Sequence, residues 1–140
     1  MKPLIALTAF AMALALPALA QDTNLKQVPP PYTPPTSGEA IYTAYCASCH
    51  GVKGLGDGPV VPHLKTPPPN LITLAQRNQG QFPQVAVSES IVGESLHRSH
   101  GTSGMPVWGP IFRSIDGRSE GATKIRVHNL IEYLKSLQVK

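Results

Sequence analysis

The chain has 140 residues, 41% of them hydrophobic and 14% charged, with a formal charge of +4. After an export segment is set aside, that length allows one domain and not two. Lys and Arg are scattered, without a basic run or interleaved aromatics, so nothing in the charge balance argues for a nucleic-acid partner.

Residues 1–20 have the pattern of a secretory signal peptide. Lys2 gives the positive start, Leu4 to Leu16 is an uncharged apolar run, and Pro17-Ala18-Leu19-Ala20 ends in an A-x-A site. The stretch from Pro3 to Ala20 approaches membrane-spanning length, but its many small residues and the cleavage site favour removal before Gln21. Loss of Lys2 leaves +3, because no other charge lies in residues 1–20. No later segment is long and apolar enough to span a bilayer. The expected location is therefore the periplasm.

Gln21 to Ser37 carries Pro29, Pro30, Pro31, Pro34 and Pro35. Proline lacks the amide donor and fixes φ, so this leader is expected to be extended. It suits a tether and a plain disordered terminus equally well. The domain is expected over 38–140. Thr36 is placed to cap its first helix, with Glu39 three positions on to complete a capping box. Ile41, Tyr42 and Tyr45 ride on that helix.

The helix runs into Cys46-Ala47-Ser48-Cys49-His50. C-x-x-C-H is the spacing at which a chain takes up a c-type haem covalently. Two thiols on one helical turn reach two vinyl groups of one porphyrin, and the adjacent imidazole lies beneath the iron. Other uses of C-x-x-C fit less well. The chain has only these two cysteines, so no second pair completes a four-thiolate zinc site. No βαβ context suggests a thioredoxin-like motif, and a disulfide across two residues would add little stability.

Beyond His50, Gly51, Gly54, Gly56, Gly58 and Pro59 read as a tight loop that brings backbone to the haem edge. The spacing of these glycines does not follow a strand, so it is no phosphate loop. Pro67-Pro68-Pro69 blocks regular structure, and Asn70 is placed to cap a short helix over about residues 71–77. Phe82-Pro83 breaks the chain again. Ser88 is placed to cap another short helix bearing Ile91, Val92 and Leu96. In the last segment Val127, Leu130, Ile131, Leu134 and Leu137 make one apolar stripe, with Lys124, Arg126, Asn129, Glu132, Lys135 and Gln138 opposite. No strand pattern and no repeat appears. The expectation is an all-α fold whose long loops pack on the haem.

The second axial ligand decides what a haem can do. Met105 is the only methionine outside the signal, in the loop Gly104-Met105-Pro106-Val107-Trp108-Gly109. A lone thioether there, downstream of the haem motif, points to an iron ligand. The rivals are His63, His97, His100 and His128, of which His100, just before the methionine loop, is the most credible. Trp108 has two readings: an indole lying along the haem edge toward a propionate, or a buried aromatic bonded to backbone.

These residues resemble the class I cytochrome c family. Gly38, Ile41 and Tyr42 stand before the motif as the family's first helix does. Cys46, Cys49 and His50 match its haem site, Gly58-Pro59 and Leu64 its proximal segment, Met105-Pro106 its distal ligand, and residues 130–135 its last helix. The resemblance implies a cytochrome c fold in which the first and last helices cross, with Gly38 permitting close approach and Tyr42 and Tyr133 near the contact. It also implies that the Pro59 carbonyl accepts a hydrogen bond from His50, with Pro62 as a substitute because Val60-Val61-Pro62 lengthens this segment. Pro59, Leu64 and Trp108 thereby join Cys46, Cys49, His50 and Met105 as cofactor-binding candidates.

One covalent haem c with His50 and Met105 on iron has no open coordination position. That suits a one-electron carrier between exported or membrane-bound redox partners, without catalysis of its own. The two propionates would bring the net charge near about +1. Two alternatives stand beside this reading. One is a haem-bearing subunit of a dehydrogenase or reductase complex, for which the leader speaks. The other is a gas-binding or peroxidatic haem protein with a labile Met105.

Overall fold

The computed structural model describes residues 28–93 and 104–139. Within them the chain forms six α-helices and one 3-10 helix, with no strand. They are α1 (Gly38–Tyr45), α2 (Ala47–His50), the 3-10 helix Val61–His63, α3 (Leu74–Arg77), α4 (Gln84–Val92), α5 (Trp108–Ile115) and α6 (Glu120–Ser136). The all-α expectation holds.

The core is the crossing of α1 and α6. Ile41, Tyr42 and Leu130 are essentially fully buried there, joined by Val127, Ile131 and Leu134. Gly38 sits where the two backbones meet: a Cβ at this position would lie 2.1 Å from the Asn129 carbonyl oxygen and 2.7 Å from Tyr133 Cβ. Only glycine fits. The Tyr42 and Tyr133 rings meet beside it at a tilt of 48°, centroids 5.4 Å apart.

Several local expectations are corrected. The cap of α1 is Ser37, whose hydroxyl accepts from the Ala40 amide at 3.2 Å, so Thr36 and Glu39 do not frame a capping box. The helix breaks at Cys46, which separates α1 from the single turn α2. Asn70 caps nothing helical; its side chain accepts from the Ile72 amide in a local turn, and α3 begins only at Leu74. α4 starts at Gln84, directly after Pro83, which leaves Ser88 in mid-helix bonding no free amide. Pro cannot extend a helix upstream, so it marks the start better than a later serine does.

α5 was not anticipated. Gly109 and Pro110 look like breakers, yet proline is tolerated in the first turn, where its missing amide has no partner to lose. Trp108, Ile111, Phe112 and Ile115 then fall on one face at helical spacing, and Phe112 is fully buried.

Arg126 is the largest departure. Expected on the polar face of α6, it is 0% exposed. It stands four residues before Leu130, inside the apolar register. Its Nε and Nη2 donate to the two carboxylate oxygens of Asp116 at 3.0 and 2.5 Å, and its Nη1 donates to the Thr33 hydroxyl at 2.6 Å. The guanidinium lies over the Phe112 ring, 5.6 Å from the centroid.

Thr33 belongs to the proline-rich leader. The described part of that leader, residues 28–37, contains no helix and is tied to the domain at Pro31, Thr33 and Pro35. The Tyr45 hydroxyl donates to the Pro31 carbonyl, and Asn129 Nδ2 donates to the Pro35 carbonyl at 3.2 Å. Extended proline offers unpaired carbonyls, and side chains of α1 and α6 take them up.

Candidate haem site

Cys46 and Cys49 are both free thiols in the break and single turn after α1. Cys46 is buried, and that burial, with Cys49 nearby, pushes its thiol up to about 12. Burial there favours an uncharged sulfur, which a thiol and a thioether both supply.

His50 closes the turn and is 8% exposed. Burial lowers its pKa, partly offset by the Pro69 carbonyl, so the imidazole is favoured in its neutral form. Its Nδ1 lies 3.4 Å from the Pro69 oxygen. If Nδ1 carries the proton, the lone pair is on Nε2, where a metal ligand needs it. The acceptor expected from the resemblance was the Pro59 carbonyl. The structure puts Pro69 there, ten residues further on. Pro59 itself is exposed. The lengthened segment after Pro59 moves the chain past it, and Pro67-Pro68-Pro69 returns to the ring.

The loop after His50 folds back over the motif through backbone alone. The amides of Gly56, Gly58 and Val60 donate to the carbonyls of His50, Cys49 and Ser48 at 2.8, 3.1 and 3.2 Å. A four-residue helix leaves its carbonyls without intrahelical partners, and this loop supplies them. The Tyr42 hydroxyl adds a buried bond to the Gly51 carbonyl at 2.6 Å. Burial, and next the Cys46 sulfur, raise the Tyr42 phenol well above its usual range, so it stays a donor. The Leu71 amide donates to the Gly54 carbonyl at 2.7 Å. The segment after α6 anchors the next stretch: Gln138 bonds the Leu71 carbonyl and the Ala75 amide, both at 2.9 Å.

On the other side, Met105 is partly buried and packs against the core three residues before the start of α5. Trp108 opens α5. Its ring stands 5.5 Å from Tyr45 and stacks on Phe112 at 5.8 Å. Tyr45 immediately precedes Cys46, so α5 is packed directly beside the motif. Leu64 follows the 3-10 helix and is 37% exposed; Leu55, on the same return loop, is 41% exposed. His63 and His128 are exposed. His97 and His100, with Leu96, lie outside the described residues. A groove of about 500 Å³ between α4, α5 and α6 is lined by Gln84, Arg113, Lys124 and His128 among others, and touches none of Cys46, Cys49, His50 or Met105. It is not this site.

The donor set fits a c-type haem: two thiols outside any disulfide, an imidazole favoured in its neutral form with Nδ1 facing the Pro69 carbonyl, and uncovered leucines on the adjoining loop. No group of three His, Cys, Asp or Glu side chains among the described residues is placed to hold a metal ion without such a group. The cytochrome c family profile matches residues 35–138. The chain belongs to the cytochrome c family. No curated protein and no solved structure matches it. The helical architecture is consistent with the cytochrome c fold, and a cytochrome c domain supports haem-based electron transfer, generally with redox partner proteins. No helix among the described residues is long and apolar enough to cross a membrane.

Sequence reasoning missed Pro69, Arg126 and Asp116. The triple proline was read only as a breaker. Arg126 was assigned by its charge, although its register with Leu130 and Leu134 placed it on the buried face.

Proposed function

We propose that this cytochrome c is of class I and carries one haem c, bound through Cys46 and Cys49, with His50 and Met105 on the iron. Such a group supplies one-electron redox chemistry with no open coordination position. The observation that carries the reading is the state of His50: buried, neutral and held at Nδ1 toward the Pro69 carbonyl, leaving Nε2 to bind metal. Met105 is the methionine next to the aromatic group that packs on the motif. Pro106 stiffens its loop. Trp108 and Leu64 flank the group, Trp108 from α5 and Leu64 from the return loop.

The protein acts as an exported, periplasmic carrier, taking an electron from one redox partner and passing it to another without catalysis of its own. The signal-peptide pattern of residues 1–20 supports export. The subunit alternative drew on the leader as a tether. Because residues 31–35 bond to Tyr45, Arg126 and Asn129, only the residues before them are left for that role.

A redox titration with absorption spectra in both oxidation states tests the assignment. A low-spin spectrum with retained haem on a denaturing gel is expected. In Met105→Ala the potential falls by on the order of 0.1 V, within the ~0.8 V range that axial ligands command. An unchanged spectrum and potential in that variant removes Met105 as ligand.

A further inference from the structure

We propose that Arg126 is a positioning residue for Met105: by locking α5 to α6 and to the leader, it keeps the sulfur face of the haem closed. The inference rests on the ligation reading above and extends it to residues that touch neither thiol nor imidazole.

Met105 precedes the first residue of α5 by three positions, so wherever α5 sits, the sulfur must follow. Two contacts set that helix. At its start, Gly109 lies so close to α4 that a Cβ would fall 2.6 Å from the Val92 carbonyl oxygen. At its end, Asp116 is the C-cap, and both its carboxylate oxygens are taken by Arg126. The side chains of this pair are 0% and 2% exposed. Between the two ends, Phe112 is fully buried with the guanidinium over its ring, and Trp108 stacks on Phe112. The third arm of the guanidinium holds Thr33. One fork thus fixes the end of α5, its central aromatic and the proline strap.

A planar fork with several donors can hold all three at once; an ammonium cannot. The pair is formally neutral, so its contribution is geometric rather than a field at the haem. An exogenous ligand binds iron only in molecules whose sulfur has swung away, and its apparent affinity scales with that open fraction.

The test is equilibrium imidazole binding to the oxidised holoprotein, followed by its absorption spectrum. Arg126→Lys keeps the charge and loses the fork. Apparent imidazole affinity is expected to rise by about tenfold or more. Thr33→Val, which cuts only the strap, should give a smaller rise. Gln138→Ala loosens the loop on the His50 side and should leave the affinity unchanged even if it lowers thermal stability. A loss of stability in Arg126→Lys with unchanged imidazole affinity overturns the proposal, as does an equal rise in Gln138→Ala. If Arg126→Lys does not assemble, Asp116→Asn replaces it with the same two outcomes. Met105→Ala separates the underlying reading: an unchanged spectrum there shows that the sulfur was never on iron, and the proposal falls for that distinct reason.

Discussion

The two sides of His50 are built by different means. Toward α5 and α6 the structure is held by side chains: a helix crossing that admits only glycine, three aromatic rings in mutual contact, and a buried ion pair. Toward the 51–73 loop it is held by backbone, with the loop's amides on the carbonyls of the haem motif and most of its side chains exposed. Single substitutions should therefore cost much on the first side and little on the second. On the proposed reading, the exposed Leu55 and Leu64 of this loop are free to cover the apolar face of a haem.

The largest expected effect is at the ion pair. Arg126→Met leaves the Asp116 carboxylate buried without a partner and should destabilise the holoprotein by about 3–5 kcal/mol in chemical unfolding. Pairing it with Asp116→Leu should recover most of that loss. If the double variant is no better than the single one, the carboxylate is not the source of the cost. Gly38→Val comes next. Its side chain meets backbone carbonyl rather than a flexible group, so α1 and α6 must separate, at a cost of about 3 kcal/mol, the upper end for overpacking. Full stability in this variant would mean that the crossing is looser than the geometry requires.

On the backbone-built side the expected effects shrink. Tyr42→Phe removes the donor to the buried Gly51 carbonyl and should cost about 1–2 kcal/mol. Hydrogen exchange should then show faster opening of the loop than of α6. The smallest effect separates two neighbours. Ser37→Ala should cost about 1 kcal/mol through loss of the α1 cap, while Thr36→Ala should lie within about 0.5 kcal/mol of wild type. The opposite ranking would restore the capping box first read from the sequence.

Much of this architecture was legible in the residues. C-x-x-C-H, the lone Met105 and the stripe of α6 point to the family and to the crossing of its terminal helices. The close approach at Gly38 was implied by the family resemblance, and the structure puts it at backbone contact. What escaped the sequence followed from tertiary context. α5 hides behind Gly109 and Pro110, whose breaking tendency is harmless in a first turn. Arg126 is buried because Asp116 and Thr33, ten and 93 positions away, satisfy its donors, and no local pattern announces both partners. The shift from Pro59 to Pro69 reflects the path of a loop, which side-chain periodicity does not record.

Iron K-edge X-ray absorption of the oxidised holoprotein tests the central claim most directly. It should show one sulfur among the iron's nearest neighbours, and Met105→Ala should lose it. A first shell of nitrogen alone, or a sulfur that persists in Met105→Ala, would contradict the assignment of His50 and Met105 to opposite faces of the haem.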